Sequence, residues 1–336
     1  MLRRAAAALA VLLAVAAVVT TLLPLSHSNA WWVRMWEFPR QNIAIGAAVA
    51  FLLAWALPQG PRGATLLAMA TVVGWQGWWI WPHAPWAEEE VAVVGGDGAR
   101  IVSLNVLQGN RDHDRTLAYL RDRDPDVLLL METDAIWADA LAPVLDAYPY
   151  RVERIADDHY GMILVTRLPA DRLELIDLSD DTTPAAVAEL EWDGRTFSLA
   201  GLHPRPPVPA TDTEERDEQI AKAATLARRD GVPSIAIGDF NDVSWSRASR
   251  RLRDIGGFKD PRYGRGILAS FKADSWWLRA PIDHGLVTEG IVVHDFRLGP
   301  NVGSDHLPVE LVVSVGEWGD GTSPAAVSAS ARGSDR

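Results

Sequence analysis

Eight polar residues stand where apolar runs stop. Asn105 closes the run 101–105, Glu132 follows Leu128-Leu129-Leu130-Met131, and His203 follows 198–202. Asp239 and Asn241 follow Ile235-Ala236-Ile237-Gly238; Asp283 lies in 281–285; Asp305 and His306 are adjacent, just ahead of 307–315. Taken singly, each is an ordinary strand-end polar group satisfying backbone. Taken together they form a carboxylate, amide and imidazole set in a chain with no cysteine. That set suits a hard, oxygen-ligated cation such as Mg2+ and excludes a thiolate metal site or a cysteine nucleophile. It is also what hydrolysis at phosphorus needs: a metal to offset charge, an acid to activate water, and a cationic or amide group for the developing oxyanion. Neighbours in an extended strand project to opposite faces, so Asp305 and His306 can share one site only from the bend before their strand.

These side chains converge only if strands carry them. Period and punctuation predict strands over 101–105, 127–131, 161–166, 234–238, 282–287 and 307–315. The segments 185–192 and 196–202 flank Asp193-Gly194, a hairpin signal. Helices are predicted over 116–123, with Leu117 and Leu120 on one face and Asp124-Pro125-Asp126 as a stop, and over 213–229. Alternating strands and helices predict an α/β domain over residues 99–316 with packed sheets.

In order, "SLNVLQGN", "DPDVLLLMETD", "GMILVTR", "LAGLHPRPP", "AIGDFND", "PIDHGLV" and "GSDHLPVEL" resemble the endonuclease/exonuclease/phosphatase superfamily, the deoxyribonuclease-I-like fold, over about residues 100–315. The resemblance implies a four-layered α/β sandwich with its site at the strand ends. It implies Glu132 as main metal ligand with Asn105 beside it, and Asp305 in the metal shell directly or through water. It implies that Asp239 orients or deprotonates the attacking water and that Asn241 holds a non-bridging phosphate oxygen. His203 and His306 would contact the phosphate, His306 held by Asp283. Mg2+ is the implied ion, with Mn2+ as a substitute. Arg205 and Tyr160 are weighed as further phosphate contacts against a solvated loop arginine and an ordinary tyrosine. His159, His284 and Asp242 are near the site in sequence only, and Asp112 and His113 read as a polar turn.

Charge narrows the substrate. The net charge is −12; residues 1–86 hold five arginines and one acid, leaving −16 on the remainder. That remainder is a poor electrostatic partner for nucleic acid, which usually demands clustered Lys and Arg, although Lys272 and Arg279 lie near Trp276-Trp277.

The N-terminal region reads as membrane. Apolar runs over about 5–25, 38–57 and 64–82 predict three spans, with Trp31, Trp32, Trp36, Trp55, Trp75, Trp78, Trp79, Trp81 and Trp86 gathered near their ends as an interfacial belt. Arg3-Arg4, the first run and Ser28-Asn29-Ala30 also fit a cleavable signal. Either way the catalytic domain is expected outside. Residues 87–98 read as an acidic, Gly-rich linker and 317–336 as a disordered tail.

The resulting expectation is a Mg2+-dependent phosphoric-ester or pyrophosphate hydrolase on the outer face of a prokaryotic membrane, similar to membrane-bound bacterial members of the superfamily, with a lipid-linked envelope substrate. The alternatives are an extracytoplasmic nuclease and a non-catalytic membrane adaptor that keeps the fold.

Overall fold

A computed structural model describes residues 1–178, 183–207, 209, 212–227 and 231–316; the tail expected over 317–336 and the last residues of the helix expected over 213–229 lie outside them. The chain opens with four helices, α1 (Leu2–Leu22), α2 (Trp31–Arg34), α3 (Arg40–Leu53) and α4 (Gln59–Ile80). Then come β1 (Ala99–Asn105), α5 (His113–Arg123), β2 (Val127–Met131), α6 (Ala135–Leu145), β3 (Tyr150–Arg154), β4 (Met162–Thr166) and β5 (Ala170–Asp177). The order ends with β6 (Pro184–Trp192), β7 (Arg195–Leu202), α7 (Glu214–Ala227), β8 (Ser234–Asp239), α8 (Arg247–Gly256), β9 (Asp283–Val287), β10 (Ile291–Leu298) and β11 (Val309–Val315).

The strands form two sheets, ordered β10-β11-β1-β2-β4-β3 and β5-β6-β7-β8-β9. Four layers follow from which face each strand buries. Ile101, Leu129, Met131 and Leu164 of the first sheet share a core with Ala188, Phe197, Leu199, Ile235 and Ile237 of the second. Their sheet neighbours Val102, Leu104, Leu128 and Leu130 point the other way, onto Leu117, Leu120, Trp137 and Leu141 of α5 and α6. Ala200, Leu202 and Ala236 point onto Ile220, Ala223 and Leu252 of α7 and α8. Strand β2 is buried at every residue because both its faces are covered. The expected four-layered α/β sandwich is therefore the architecture of residues 99–315.

The pairing register brings the polar ends together. Strands β1 and β2 run parallel with Asn105 opposite Met131, which puts Asn105 and Glu132 at one edge. Strands β7 and β8 run parallel with Leu202 opposite Gly238, so His203 and Asp239 emerge side by side. Strand β9 runs antiparallel to β8 with Asp239 opposite Asp283. Each parallel pair needs a crossover, supplied by α5 and α7.

Three expected membrane spans become three packed helices, of which one, extended through its terminal turn to Ser26, is long and apolar enough to cross a bilayer. Helix α3 has 14 residues, about 21 Å of rise against a hydrocarbon core of about 30 Å. Helix α4 has 22 residues, but Gln59, Arg62, Gln76 and four glycines dilute its apolar character. Ala17, Ile43, Ala47, Ala50, Met69 and Val72 form the core of this bundle. Arg3 Nε donates to the Ala56 carbonyl at 3.2 Å, so the start of α1 meets the end of α3, and the C-terminal ends of α1 and α4 share the other end of the bundle with the start of α3.

That shared end is docked on the sandwich. The Asn29 carbonyl accepts from Thr213 N at 2.8 Å, the Glu37 carbonyl accepts from Trp245 Nε1 at 2.7 Å, and Asn42 Nδ2 donates to the Trp277 carbonyl at 2.8 Å. The acidic stretch over 87–98 is no free tether: Glu90 pairs with Arg253 at 2.5 Å and Glu89 pairs with Arg265.

Candidate active site

The eight residues singled out from sequence converge. Asn105 Nδ2 donates to Glu132 Oε1 at 2.9 Å and to Asp239 Oδ2 at 3.1 Å. Asp239 Oδ2 lies 3.8 Å from His203 Nε2 and 3.6 Å from His306 Nε2. His306 Nδ1 meets Asp283 Oδ2 at 2.8 Å, and Asp305 Oδ1 lies 4.0 Å from His306 Nε2. Asn241 N donates to Asp239 Oδ1 at 2.8 Å, and Asn241 Nδ2 to the Pro204 carbonyl at 2.9 Å. Asp305 and His306 do lie in the bend before β11, where Ser304 Oγ ties the turn to the Asn105 carbonyl at 2.7 Å and accepts from His306 N at 3.1 Å.

Local backbone builds this convergence. Glu132 and Asn241 both hold left-handed φ values, 61° and 49°, an uncommon conformation for residues other than glycine that turns each strand end sharply. Gly161 lets strand β4 approach that turn: a Cβ there would stand 1.9 Å from the Thr133 carbonyl oxygen.

Electrostatics divide the roles. Burial would lower His306, but the carboxylates of Asp283 and Asp239 overcome it and raise the imidazole to about 10. Burial pushes Asp239 up to about 7 against the pull of His306. Burial takes His203 down to about 4, so it is neutral. Burial opposes the Glu132 carboxylate, but hydrogen bonds from Asn105, Gln108 N and His159 hold it below its usual range. Burial also raises Asp305, helped by the charge of Glu132.

Two groups of side chains compete for a cation. Ligand atoms of Asp239, Asp283 and His306 lie within 4.8 Å of one another. A protonated His306 has no lone pair to give, however, and Asp283 Oδ2 is committed to it, so this trio is better suited to proton handling. Glu132 and Asp305 fit the ion better. Asp305 Oδ1 is buried without a hydrogen-bond partner among the described residues, and two carboxylates that repel each other are what a divalent cation reconciles. Asn105 turns its amide nitrogen to the acids while its oxygen accepts from Leu107 N at 2.9 Å; ligating the ion would require that amide to turn over.

Some neighbours were read differently from sequence. His159 is a site residue in space, with Nδ1 3.2 Å from Glu132 Oε2, and its backbone N–H donates to Gln108 Oε1 at 2.9 Å. Gln108, three residues past Asn105, also gives its N–H to Glu132 Oε2 at 3.1 Å; the "LNVLQ" spacing was its only signal. Tyr160 faces His203 with ring centroids 5.8 Å apart, and Arg205 lies over Tyr160 at 5.9 Å. His284 and Asp242 belong to the supporting structure. His284 lies between the Asp242 carbonyl at 2.8 Å and Arg262 Nη2 at 2.6 Å, and Asp242 accepts from Ser246. His113 packs on Trp137 with centroids at 4.4 Å, and Asp112 pairs with Arg115 at 3.4 Å.

Two facing sheets with acid, amide and imidazole groups gathered at one set of strand ends define a hydrolytic α/β sandwich. The chain belongs to the Endonuclease/Exonuclease/phosphatase family, whose model matches residues 102–306. It is similar in fold to an endonuclease/exonuclease/phosphatase from Beutenbergia cavernae DSM 12333, at 18% identity and TM-score 0.53 over 66% of this chain and 72% of that one. A Bacteroides vulgatus endonuclease/exonuclease/phosphatase is 16% identical with TM-score 0.54, over 66% of this chain and 100% of that one. D. rerio TDP2, solved with a single-strand DNA product, is 18% identical with TM-score 0.53 over the same shares. No curated protein matches the chain.

Proposed function

We propose that the chain is a membrane-anchored, Mg2+-dependent hydrolase of phosphoric esters or pyrophosphates, acting on a lipid-linked substrate at the outer face of a prokaryotic membrane. The observation that carries the hydrolase reading is Asp239, buried and raised to about 7, standing 3.6 Å from a charged His306 and bonded through Asn105 to Glu132. Glu132 and Asp305 would hold the divalent ion, which supplies charge neutralisation at the phosphate when bound. Asp239 takes the proton of the attacking water, as its near-neutral proton affinity suits. His306 donates to a phosphate oxygen through Nε2, with Asp283 fixing its ring. His203, neutral, faces the same space and accepts or donates according to tautomer. Asn241 spends one amide N–H on Pro204 and has a second for a non-bridging oxygen.

The test is phosphate release by the full-length protein. Activity should require Mg2+ or Mn2+, vanish with chelator, and fall on the order of 100-fold in Glu132→Ala and Asp239→Asn. Wild-type turnover in either variant sinks these roles.

Several observations support the lipid substrate. Helix α1 is apolar over a membrane-crossing length and contributes Ala17 to the bundle core. Arg3 and Arg4 at its start favour the inner face, which leaves the sandwich outside. Trp276, Trp277 and Leu278 are exposed at 89%, 56% and 49%, a costly surface in water and a favourable one at a headgroup layer. Their loop is bonded to the bundle through Asn42, while its base reaches the site: Ala273 N donates to the Asp305 carbonyl at 2.7 Å, and the Phe271 ring lies 4.9 Å from His306. The native chain has no cysteine, so Trp276→Cys and Leu12→Cys can each carry one fluorophore in vesicles of brominated phosphatidylcholine and phosphatidylglycerol. Quenching at both sites supports the reading; quenching at position 12 alone leaves the anchor and removes the seated loop; quenching at neither removes the membrane. The nuclease alternative has the charge of −16 against it.

A further inference from the structure

Residues 27–38, which join α1 to α3, are wedged between the start of α7 and the loop after β8. That loop, 240–246, carries Asn241. On one side of the wedge the Asn29 carbonyl accepts from Thr213 N at 2.8 Å. On the other the Glu37 carbonyl accepts from Trp245 Nε1 at 2.7 Å, and Phe38 packs with Val243 and Trp245. His83, just past α4, adds a contact of 2.7 Å to Ser244 Oγ. The loop that shapes the site is thus held from outside the sandwich.

A line of buried charges runs from this wedge to the site. Arg34 Nη1 pairs with Glu37 Oε2 at 2.7 Å, and Arg34 Nη2 reaches Asp217 Oδ2 at 3.3 Å. Asp217 Oδ1 accepts from Arg216 Nη2 at 2.9 Å and Nε at 3.2 Å. Arg216 Nη1 then donates to the Asn241 carbonyl at 3.3 Å and lies 3.7 Å from Asp242 Oδ1. Arg34 and Arg216 are only 3% and 2% exposed. Charges so deep persist only when paired, and the pairing here fixes a guanidinium against the backbone of a residue held at φ 49°. Asn241 in turn gives its N–H to Asp239 Oδ1.

We propose that Arg216 is a positioning residue for the hydrolase site and that residues 27–38 set its position through Arg34 and Asp217. Asn241 and Asp239 then take their working geometry only when the wedge is seated. The N-terminal region is part of the catalytic scaffold, and whatever moves α1 against α3 reaches Asn241 through four side chains. This rests on the hydrolase reading of the site.

The experiment compares full-length variants on a small soluble diester, bis(p-nitrophenyl) phosphate, so that membrane access does not enter. A displacement of ångström size at a catalytic group costs up to about 100-fold in rate. Arg34→Gln touches nothing in the sandwich beyond the Asp217 pair and should lower kcat about tenfold with little change in KM. Arg34→Lys should recover most of the loss, and Arg34→Gln with Asp217→Asn should be no worse than the poorer single variant, as for members of one network. Trp245→Phe removes the N–H given to Glu37 along with part of a buried ring and should lower kcat in the same sense; it decides the matter if Arg34→Gln does not fold. A lower unfolding temperature in Arg34→Gln with wild-type kcat, or wild-type kcat in a folded Trp245→Phe, overturns the proposal. Glu132→Ala separates the two levels: wild-type activity there overturns the hydrolase reading itself, whereas an inactive Glu132→Ala beside a fully active Arg34→Gln overturns only the positioning.

Discussion

Replacing Asp283 by asparagine removes one charge from the site and should reshape its pH dependence. His306 is raised from 6.5 to about 10 although burial pulls it the other way. The net preference for the charged ring is on the order of 5 kcal/mol, and the largest favourable contributor is Asp283, 2.8 Å away. Asp283→Asn keeps the shape and removes that charge. Burial is then opposed by Asp239 and Asp305 alone, and the proton affinity of His306 should fall well below its wild-type value. The acid form of His306 is the working form, so activity is retained below its proton affinity and lost as pH rises through it. At pH 8 a ring titrating at 6.5 is only about 3% charged, a loss of about 30-fold against the wild type, recovering as the pH is lowered toward 6. Asp239 titrates in the same cluster, so the two limbs of the wild-type profile belong to the group of residues. A bound divalent cation lowers both limbs in both proteins; the difference between the proteins carries the prediction. The assay is kcat/KM against pH on the soluble diester, with thermal unfolding as a check on the fold. An alkaline limb that stays within about half a pH unit of the wild type refutes the idea that Asp283 keeps His306 charged.

Gly161→Ala should destabilise the protein by more than about 2 kcal/mol, read by thermal or chemical unfolding, because its Cβ would overlap the Thr133 carbonyl beside Glu132. Asp260→Asn should cost about 3–5 kcal/mol, since it strands Arg262, paired at 2.9 Å with neither group more than 1% exposed. Burial opposes the Asp260 carboxylate but Arg262 holds it well below its usual range, so its contribution is full above the unfolded value of 3.8 and is lost as pH falls toward the folded one. The gap between wild type and variant should therefore be constant near neutrality and close in strong acid; a gap that widens in acid would contradict the pairing. Residues 99–316 expressed alone should be poorly soluble or far less active on the soluble diester than the full chain, because Trp245 and Asp217 lose their covering segment; a fully active fragment would count against a docked scaffold.

The fold was legible where physics is local. The buried strands β1, β2, β4 and β8 are short apolar runs because both their faces are covered, and the polar residue after each run marks where burial ends. The strands β3, β5 and β10 were missed for the complementary reason. Tyr150–Arg154 alternates charge with a single valine, and half-exposed edge positions tolerate such sequences. Helix α8, "RASRRLRDIG", buries Ala248, Ser249, Leu252 and Gly256 among five charged residues, and no helix is predicted there from sequence. Site residues on strand ends were found because register carries them together. His159, Gln108 and Arg216 lie in loops or on a helix, where no strand register announces their contacts with Glu132 and Asn241.

Hydropathy is incomplete for a related reason. A sequence window sums apolarity and says nothing of what a segment packs against. The runs at 38–57 and 64–82 read as spans; in the structure Ala47, Ala50 and Met69 turn one face of each helix into the bundle core, while Ile45, Leu52, Leu67 and Trp78 stay exposed on the other. Residues 27–38, between the first two expected spans, place Arg34 and Glu37 beside the buried Asp217 of the sandwich. The same holds for the acidic stretch before β1, where Glu89 and Glu90 find Arg265 and Arg253. In each case the segment's partner lies more than a hundred residues away or on another helix. Charges of both signs had to be buried for these segments to dock, and a buried ion pair adds little stability over apolar packing. What it does add is a defined arrangement, since each arginine has few ways to satisfy its neighbours. That is a reason to find such a network behind Asn241, where the backbone must hold an uncommon conformation, rather than on the outer faces of the sandwich.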